Sequence, residues 1–297
     1  MRSMMSGAIG TVPSIPNACY TFTMLHFAVA GSPLSTPSPG GSVEGLKRAH
    51  KLGITAMELE WVQRVPMNKG RMDEIRSVAE DLDMYLTVHA PYFVNLNAKE
   101  KAKLEASKKR IIHALEMAQL AGAKSVCVHP AFYLGMDPKV AYKNVDKAIS
   151  EIMKIKKKVA PNVNLALETM GKGTQFGSLE ELLKLGKKYK IYPAVDVAHM
   201  HARSNGKWNT KKEFNQVFDM YEKYLGKKSL KEMHIHYSGI MYTEKGERKH
   251  LPFKKSDAAW KEFVEVLKKR KIGGVVVCES PIMEKDTLLL KKTYEKC

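Results

Sequence analysis

Eight short β-rich apolar runs, each separated from the next by a longer stretch with helical spacing, are the feature that most constrains this chain. The runs are LHFAV (25–29), AMELEW (56–61), YLTVH (85–89), SVCVH (125–129), NLALE (164–168), YPAVD (192–196), EMHIH (232–236) and VVVCE (275–279). Between them lie candidate helices at 42–52, 72–81, 99–121, 138–159, 178–189, 210–224 and 257–270. In the third of these, Ile111, Leu115, Ala118 and Ala121 recur on one face. Eight β-then-α units predict an α/β fold in which a parallel sheet closes into a (β/α)8 TIM barrel. An open doubly wound sheet is the alternative, but it carries a glycine-rich phosphate loop after its first strand. Here AGSPLSTPSPGGS follows instead, with no G-x-G-x-x-G. No internal repeat or low-complexity linker divides the chain. The expectation is one domain over 24–297, preceded by a disordered extension over 1–23.

In such a barrel, chemistry gathers at the C-terminal ends of the strands. The third run ends in His89, the fourth in His129, the fifth in Glu168 and the sixth in Asp196 with His199 following. The seventh carries His234 and His236, the eighth ends in Glu279, and GERKHLPF adds His250 between them. One strand-end histidine is ordinary packing. Six consecutive strands delivering imidazoles or carboxylates to one rim is different, because unpaired buried polar groups each cost about 2–7 kcal/mol. A metal centre offsets that cost, and these donors suit zinc or manganese. Strand alternation is expected to turn His236 away from His234, leaving His234 as the interior ligand. His50 and His113 fall in helices and are expected on the surface; His26 and His201 have no assigned role.

Composition adds three constraints. Lys and Arg total 49 against 31 Asp and Glu, a formal charge of +18. That favours an anionic partner such as nucleic acid, although a lysine-rich solvated surface would give the same count. The four cysteines, Cys19, Cys127, Cys278 and Cys297, form no C-x-x-C pair, which argues against a thiolate zinc knuckle. Cys127 and Cys278 sit in apolar runs as small core residues. No apolar run reaches the roughly 18 residues of a membrane span, and residues 1–22 make a poor signal peptide, so a cytoplasmic location is expected.

The ordered motifs HAPY, HP, LET, DVAH, HIHYS, a distal His and ES resemble the endonuclease IV family of apurinic/apyrimidinic endonucleases, among the xylose isomerase-like barrels. The resemblance runs from about Leu25 to Glu279. It implies a cluster of two or three zinc ions, with manganese as an option. His89, His129 and Glu168 would hold one metal. Glu168 would bridge to a second, completed by Asp196, His234 and Glu279. His199 and His250 would hold a third. Glu168 and Glu279 would be catalytic, and Arg64, Tyr92 and Phe93 would contact DNA beside a lesion. The implied partner is double-stranded DNA with an abasic site, cut 5′ of the lesion by a monomer.

Two departures stand out. Where the family has Asp-x-His in the loop after strand seven, this chain has Arg248-Lys249-His250, with Glu247 one place too early unless its register shifts. Where the family reads His-Leu-Asn-Asp, this chain has His234-Ile235-His236-Tyr237. A competing expectation is a sugar isomerase or epimerase of the same superfamily. Glu168, Asp196, His234 and Glu279 would then hold one metal while two glutamates shuttle a proton. His129 and His250 are surplus to that chemistry. A non-catalytic nucleic-acid-binding barrel would explain the charge but not the converging ligands.

Overall fold

In a computed structural model, residues 24–297 are described; the expected extension over 1–23, with Cys19, lies outside the described residues. The apolar runs become eight parallel strands: β1 (Leu25–Ala30), β2 (Ala56–Glu60), β3 (Tyr85–His89), β4 (Ser125–Val128), β5 (Asn164–Leu167), β6 (Ala194–Asp196), β7 (Met233–Tyr237) and β8 (Gly274–Cys278). β8 pairs with both β1 and β7, so the sheet curls round into a TIM barrel. β5 and β6 meet at the seam, where the ladder shrinks to one bridge between Glu168 and Ala194.

Side chains zip that seam. At one end the Asn164 amide donates to the Tyr192 carbonyl at 2.7 Å and accepts its N–H at 2.9 Å. At the other, the Thr169 hydroxyl accepts the Asp196 N–H at 2.8 Å and donates to the Asp196 carbonyl at 3.0 Å. These bonds satisfy backbone groups that a missing ladder would leave bare.

The helices surround the barrel: α1 (Gly41–Lys51), α2 (Lys69–Asp81), α3 (Lys101–Leu120), α4 (Pro138–Val159), α5 (Leu179–Tyr189), α6 (Val197–Arg203), α7 (Lys211–Leu225), α8 (Trp260–Lys269) and α9 (Glu284–Lys296). The expected helices are all among them, and α6 and α9 are additional. Local chemistry sets several starts. Ser178 and Glu181 form a reciprocal capping box at α5. Asp137 caps α4 with Pro138 at its first turn. Most of the buried apolar side chains lie between strands and helices, in two large clusters.

The inside of the barrel is different. Register places Ala28, Ala56, Val277, His236 and Asp196 at one level. Glu58, Thr87, Ser125 and Asn164 share another, and Glu60, His89, Cys127 and Ala166 a third. Barrels of this kind usually fill such layers with Val, Ile and Leu. Small and polar residues here leave room for buried ionisable groups. A cavity of about 860 Å³ opens at the opposite, N-terminal mouth, lined among others by His26, Tyr85, Ser125, Tyr192 and His234.

Candidate metal centre

The expected ligands converge at the C-terminal mouth, with one correction. His129 Nε2 lies 2.9 Å from Glu168 Oε2, and His89 Nε2 lies 3.4 Å from the same oxygen. His89 Nδ1 sits 2.8 Å from the Ala90 carbonyl. Donating its proton there leaves Nε2 as a lone pair aimed at the cluster. Glu168, Asp196, His236 and Glu279 form a second group whose donor atoms lie within 4.8 Å of one another. Asp196, His199 and His250 form a third by the same measure.

The correction concerns strand seven. Residues two apart on a strand share a face, so His234 and His236 both point into the barrel, with Nε2 atoms 3.1 Å apart. His236 is the one at the rim: its Nδ1 lies 3.3 Å from Glu168 Oε1 and 3.5 Å from Glu279 Oε1. His234 lies one layer deeper, with Nδ1 2.8 Å from the Ser125 hydroxyl, and it also lines the opposite cavity. At the rim, therefore, it is His236 rather than His234 that faces Glu168 and Glu279, while His234 groups with Glu58 and His236 one layer below.

Two carboxylates in the second strand escaped the sequence reading. Glu58 is fully buried, 2.8 Å from His234 Nε2 and 3.0 Å from His236 Nε2, and accepts a 2.6 Å bond from Thr87. A carboxylate behind an imidazole fixes its tautomer and leaves the far nitrogen free for metal. Burial opposes charge on Glu58, but His236 and His234 outweigh it and hold its pKa well below the usual range. Glu60 is opposite His89 in register. Burial, with Glu58 and Glu279 nearby, raises its pKa to about 8. The signal was the E-x-E spacing in AMELEW, which puts both acids on one face. Cys127, expected as inert core, is buried, but its thiol donates to Glu168 Oε2 at 3.1 Å.

The remaining charges show what the pocket favours. Burial opposes charge on Glu168, yet His129 and His236 keep its pKa well below normal. Burial, with Glu279 and Glu168 close by, pushes Asp196 well above normal despite His199. Carboxylates crowded in one buried space resist simultaneous ionisation unless cations lie between them. Glu168 Oε1, Asp196 Oδ2, His236 Nδ1 and Glu279 Oε2 are buried without any hydrogen-bond partner. Orphaned donor atoms of these types, facing one another, fit a metal cluster.

The expected DNA-contact residues occupy the rim in different ways. Tyr92 is half exposed, and its ring packs 5.2 Å from His89 and 5.1 Å from His129. Phe93 is 61% exposed, with its carbonyl held by Arg110 at 2.9 Å. Arg64 is exposed in the loop after β2. His50 is exposed, as its helical position suggested, whereas His113, also expected on the surface, is half-buried. His26 stacks on Tyr85 at 4.8 Å. His201 lies 2.7 Å from the Lys207 carbonyl and 3.2 Å from Asp257, a structural role beside the mouth.

Residues 46–295 match the family described as xylose isomerase-like TIM barrel. The chain belongs to that family. Within it, an uncharacterized protein of Methanocaldococcus jannaschii is 38% identical over 273 residues, covering 92% of this chain and 98% of its own. A probable endonuclease 4 of Staphylococcus aureus is 28% identical over 160 residues, 52% of each chain. Among solved structures, endonuclease IV from Thermus thermophilus superposes with a TM-score of 0.70 at 19% identity, covering 90% of this chain and 98% of that one. A D-tagatose 3-epimerase-like protein gives 0.68 at 17% identity, covering 91% and 96%. The barrel fold is thus shared with an endonuclease and with an epimerase-like protein. Among the described residues no helix is long and apolar enough to cross a membrane.

Proposed function

We propose that this chain is a metal-dependent DNA repair endonuclease of the endonuclease IV type, hydrolysing the phosphodiester 5′ of abasic sites in duplex DNA. The observation that carries the reading is the surplus of ligands. Glu168, Asp196, His236 and Glu279 suffice for one metal. Yet His89 and His129 flank Glu168 on one side, and His199 and His250 gather beside Asp196 on the other. One-metal chemistry on a sugar has no use for four further imidazoles.

His89, His129 and Glu168 would hold one cation, and Glu168, Asp196, His236 and Glu279 a second, with zinc favoured by the imidazole-rich set. When bound, such cations supply Lewis acidity and neutralise charge at the scissile phosphate. The chain's own residues do the rest. Glu58 orients His236, and the Ala90 carbonyl orients His89. Thr169 fixes the backbone of Asp196. Tyr92 and Phe93 present aromatic surface beside the cluster, suited to filling the gap at a lesion that unstacks cheaply. Arg64 and the excess of lysines provide phosphate contacts.

The epimerase reading keeps one supporting observation, the fold likeness to the D-tagatose 3-epimerase-like protein. Elemental analysis of the purified chain, paired with a nicking assay on duplex DNA bearing one abasic site, separates the two. Two or more zinc ions and incision abolished by chelator support the nuclease. One manganese ion, no incision and keto-sugar interconversion select the epimerase.

A further inference from the structure

Two buried cysteines look alike in the sequence, each near the end of an apolar run, and the fold separates them. Cys278, at the end of β8, packs in one of the two large apolar clusters between strands and helices. Cys127 does not. On β4, Val126 and Val128 face the surrounding helices as part of the other large cluster. Alternation therefore turns Ser125 and Cys127 to the inside of the barrel. There Cys127 stands opposite His89 on one neighbouring strand and Ala166 on the other. Its apolar neighbours are small, Ala166 and Ala194, where barrels of this kind usually place Val, Ile or Leu. The thiol is thus left facing ionisable groups rather than hydrocarbon.

Those groups are donors. Cys127 Sγ lies 3.1 Å from Glu168 Oε2, and His89 Nε2 lies 3.4 Å from the same oxygen. His236 Nδ1 lies 3.3 Å from Glu168 Oε1. His89, Cys127, Glu168 and His236 each offer a donor atom, all within 4.8 Å of one another, and all four side chains are buried. Two of the donors have no other use: Glu168 Oε1 and His236 Nδ1 are buried without a hydrogen-bond partner. The imidazoles are set for the same purpose. His89 Nδ1 is occupied by the Ala90 carbonyl and His236 Nε2 faces Glu58 at 3.0 Å, so each turns its remaining lone pair to the group. A tetrahedral zinc, with bonds of about 2.0 Å to nitrogen and 2.3 Å to sulfur, holds its donors roughly 3.3–3.6 Å apart. The separations around Glu168 lie close to that.

We propose that Cys127 is a thiolate ligand of the metal centre, completing with His89, Glu168 and His236 a buried four-donor position that selects zinc. This rests on the metal-cluster reading above and adds to it a ligand and a preference. A soft thiolate favours zinc, whereas manganese favours oxygen donors. On binding, the S–H bond breaks, its proton leaves to solvent, and the sulfur lone pair fills the bond to the cation; nothing is oxidised or reduced. The cation beside His89 then sits inward on Cys127 rather than outward on His129, whose side chain is 21% exposed. The competing arrangement keeps the cation on His129 and leaves Cys127 a thiol bonded to Glu168.

The test is the absorption spectrum of the full-length protein, stripped with chelator and reloaded with cobalt sulfate. Wild type is expected to show a near-ultraviolet band from thiolate-to-cobalt charge transfer beside the visible bands of bound cobalt. Cys127→Ser and Cys127→Ala are expected to lose the first and keep the second, with circular dichroism unchanged. The double variant Cys19→Ser/Cys297→Ser is expected to keep both. With zinc and manganese supplied together, Cys127→Ser should also hold a lower ratio of zinc to manganese, read by plasma mass spectrometry. A wild type that binds cobalt without the charge-transfer band overturns the proposal, as does a band that survives in Cys127→Ser. A wild type that binds no cobalt or zinc removes the metal cluster and Cys127 with it. Incision of abasic DNA is scored separately. Charge transfer without incision by the zinc-loaded protein sinks the nuclease reading and leaves Cys127 a ligand; incision with no charge transfer does the reverse.

Discussion

The side chain most responsible for the order of the cluster is one that never faces the rim. Glu58 accepts from Thr87 and lies within bonding distance of both His234 and His236, so it fixes which nitrogen of His236 is free. Glu58→Gln keeps the volume but removes the charge. Its affinity for zinc should fall roughly 10–100-fold, measured by competition with a chromophoric chelator. An unchanged affinity would reduce Glu58 to a packing residue. Most rim residues were legible because a carboxylate or imidazole ending a buried apolar run is costly without a purpose. Glu58 was not, because an acid inside an alternating strand also describes a solvated face. The His234 expectation failed on parity: residues two apart share a side, and depth along the barrel, which no short motif encodes, separates their roles.

At the level of elements, the eight strands were legible because β-rich runs of five or six residues are bounded by helical spacing. The hairpin at Gly239–Leu251 was not, since its strands GIMYT and GERKHL are short and partly exposed, and the second is charged with no apolar period. A bulge there, where Met241 pairs with Lys249 but Tyr242 with Glu247, was foreshadowed only by Glu247 standing one position out of place. The seam was equally hidden, because hydrogen bonds from Asn164 and Thr169 leave no periodic trace. Thr169→Val keeps the shape but strips both bonds to Asp196. With the Asp196 N–H then buried and unpaired, stability should drop by about 1–3 kcal/mol, read as a lower denaturant midpoint. An unchanged midpoint would mean that the seam does not need the hydroxyl.

At the scale of the whole molecule, the +18 charge acts over the surface while the acidic cluster sits in the mouth. A nucleic-acid backbone would be drawn to the protein by one and admitted to the other only once cations are in place. Affinity for duplex DNA should therefore fall steeply with salt, by about 10³–10⁵ between 50 and 200 mM if six to ten phosphates are contacted. Fluorescence anisotropy would measure this, and a flat dependence would remove nucleic acid as the partner. The barrel was legible in outline from strand count alone. The opposite cavity was not, because its lining comes from strand starts and loops scattered through the sequence.

The break between Glu168 and Asp196 has a mechanical implication. These two acids stand on opposite banks of the weakest joint in the cylinder, tied directly by a single backbone bridge and a few side chains. A divalent ion gripped by both banks would act as a rivet. Stripping it with chelator should lower the melting temperature in a zinc-dependent way. Amide exchange should accelerate first along Glu168–Thr169 and Ala194–Asp196, the hinge line along which the stave would peel away.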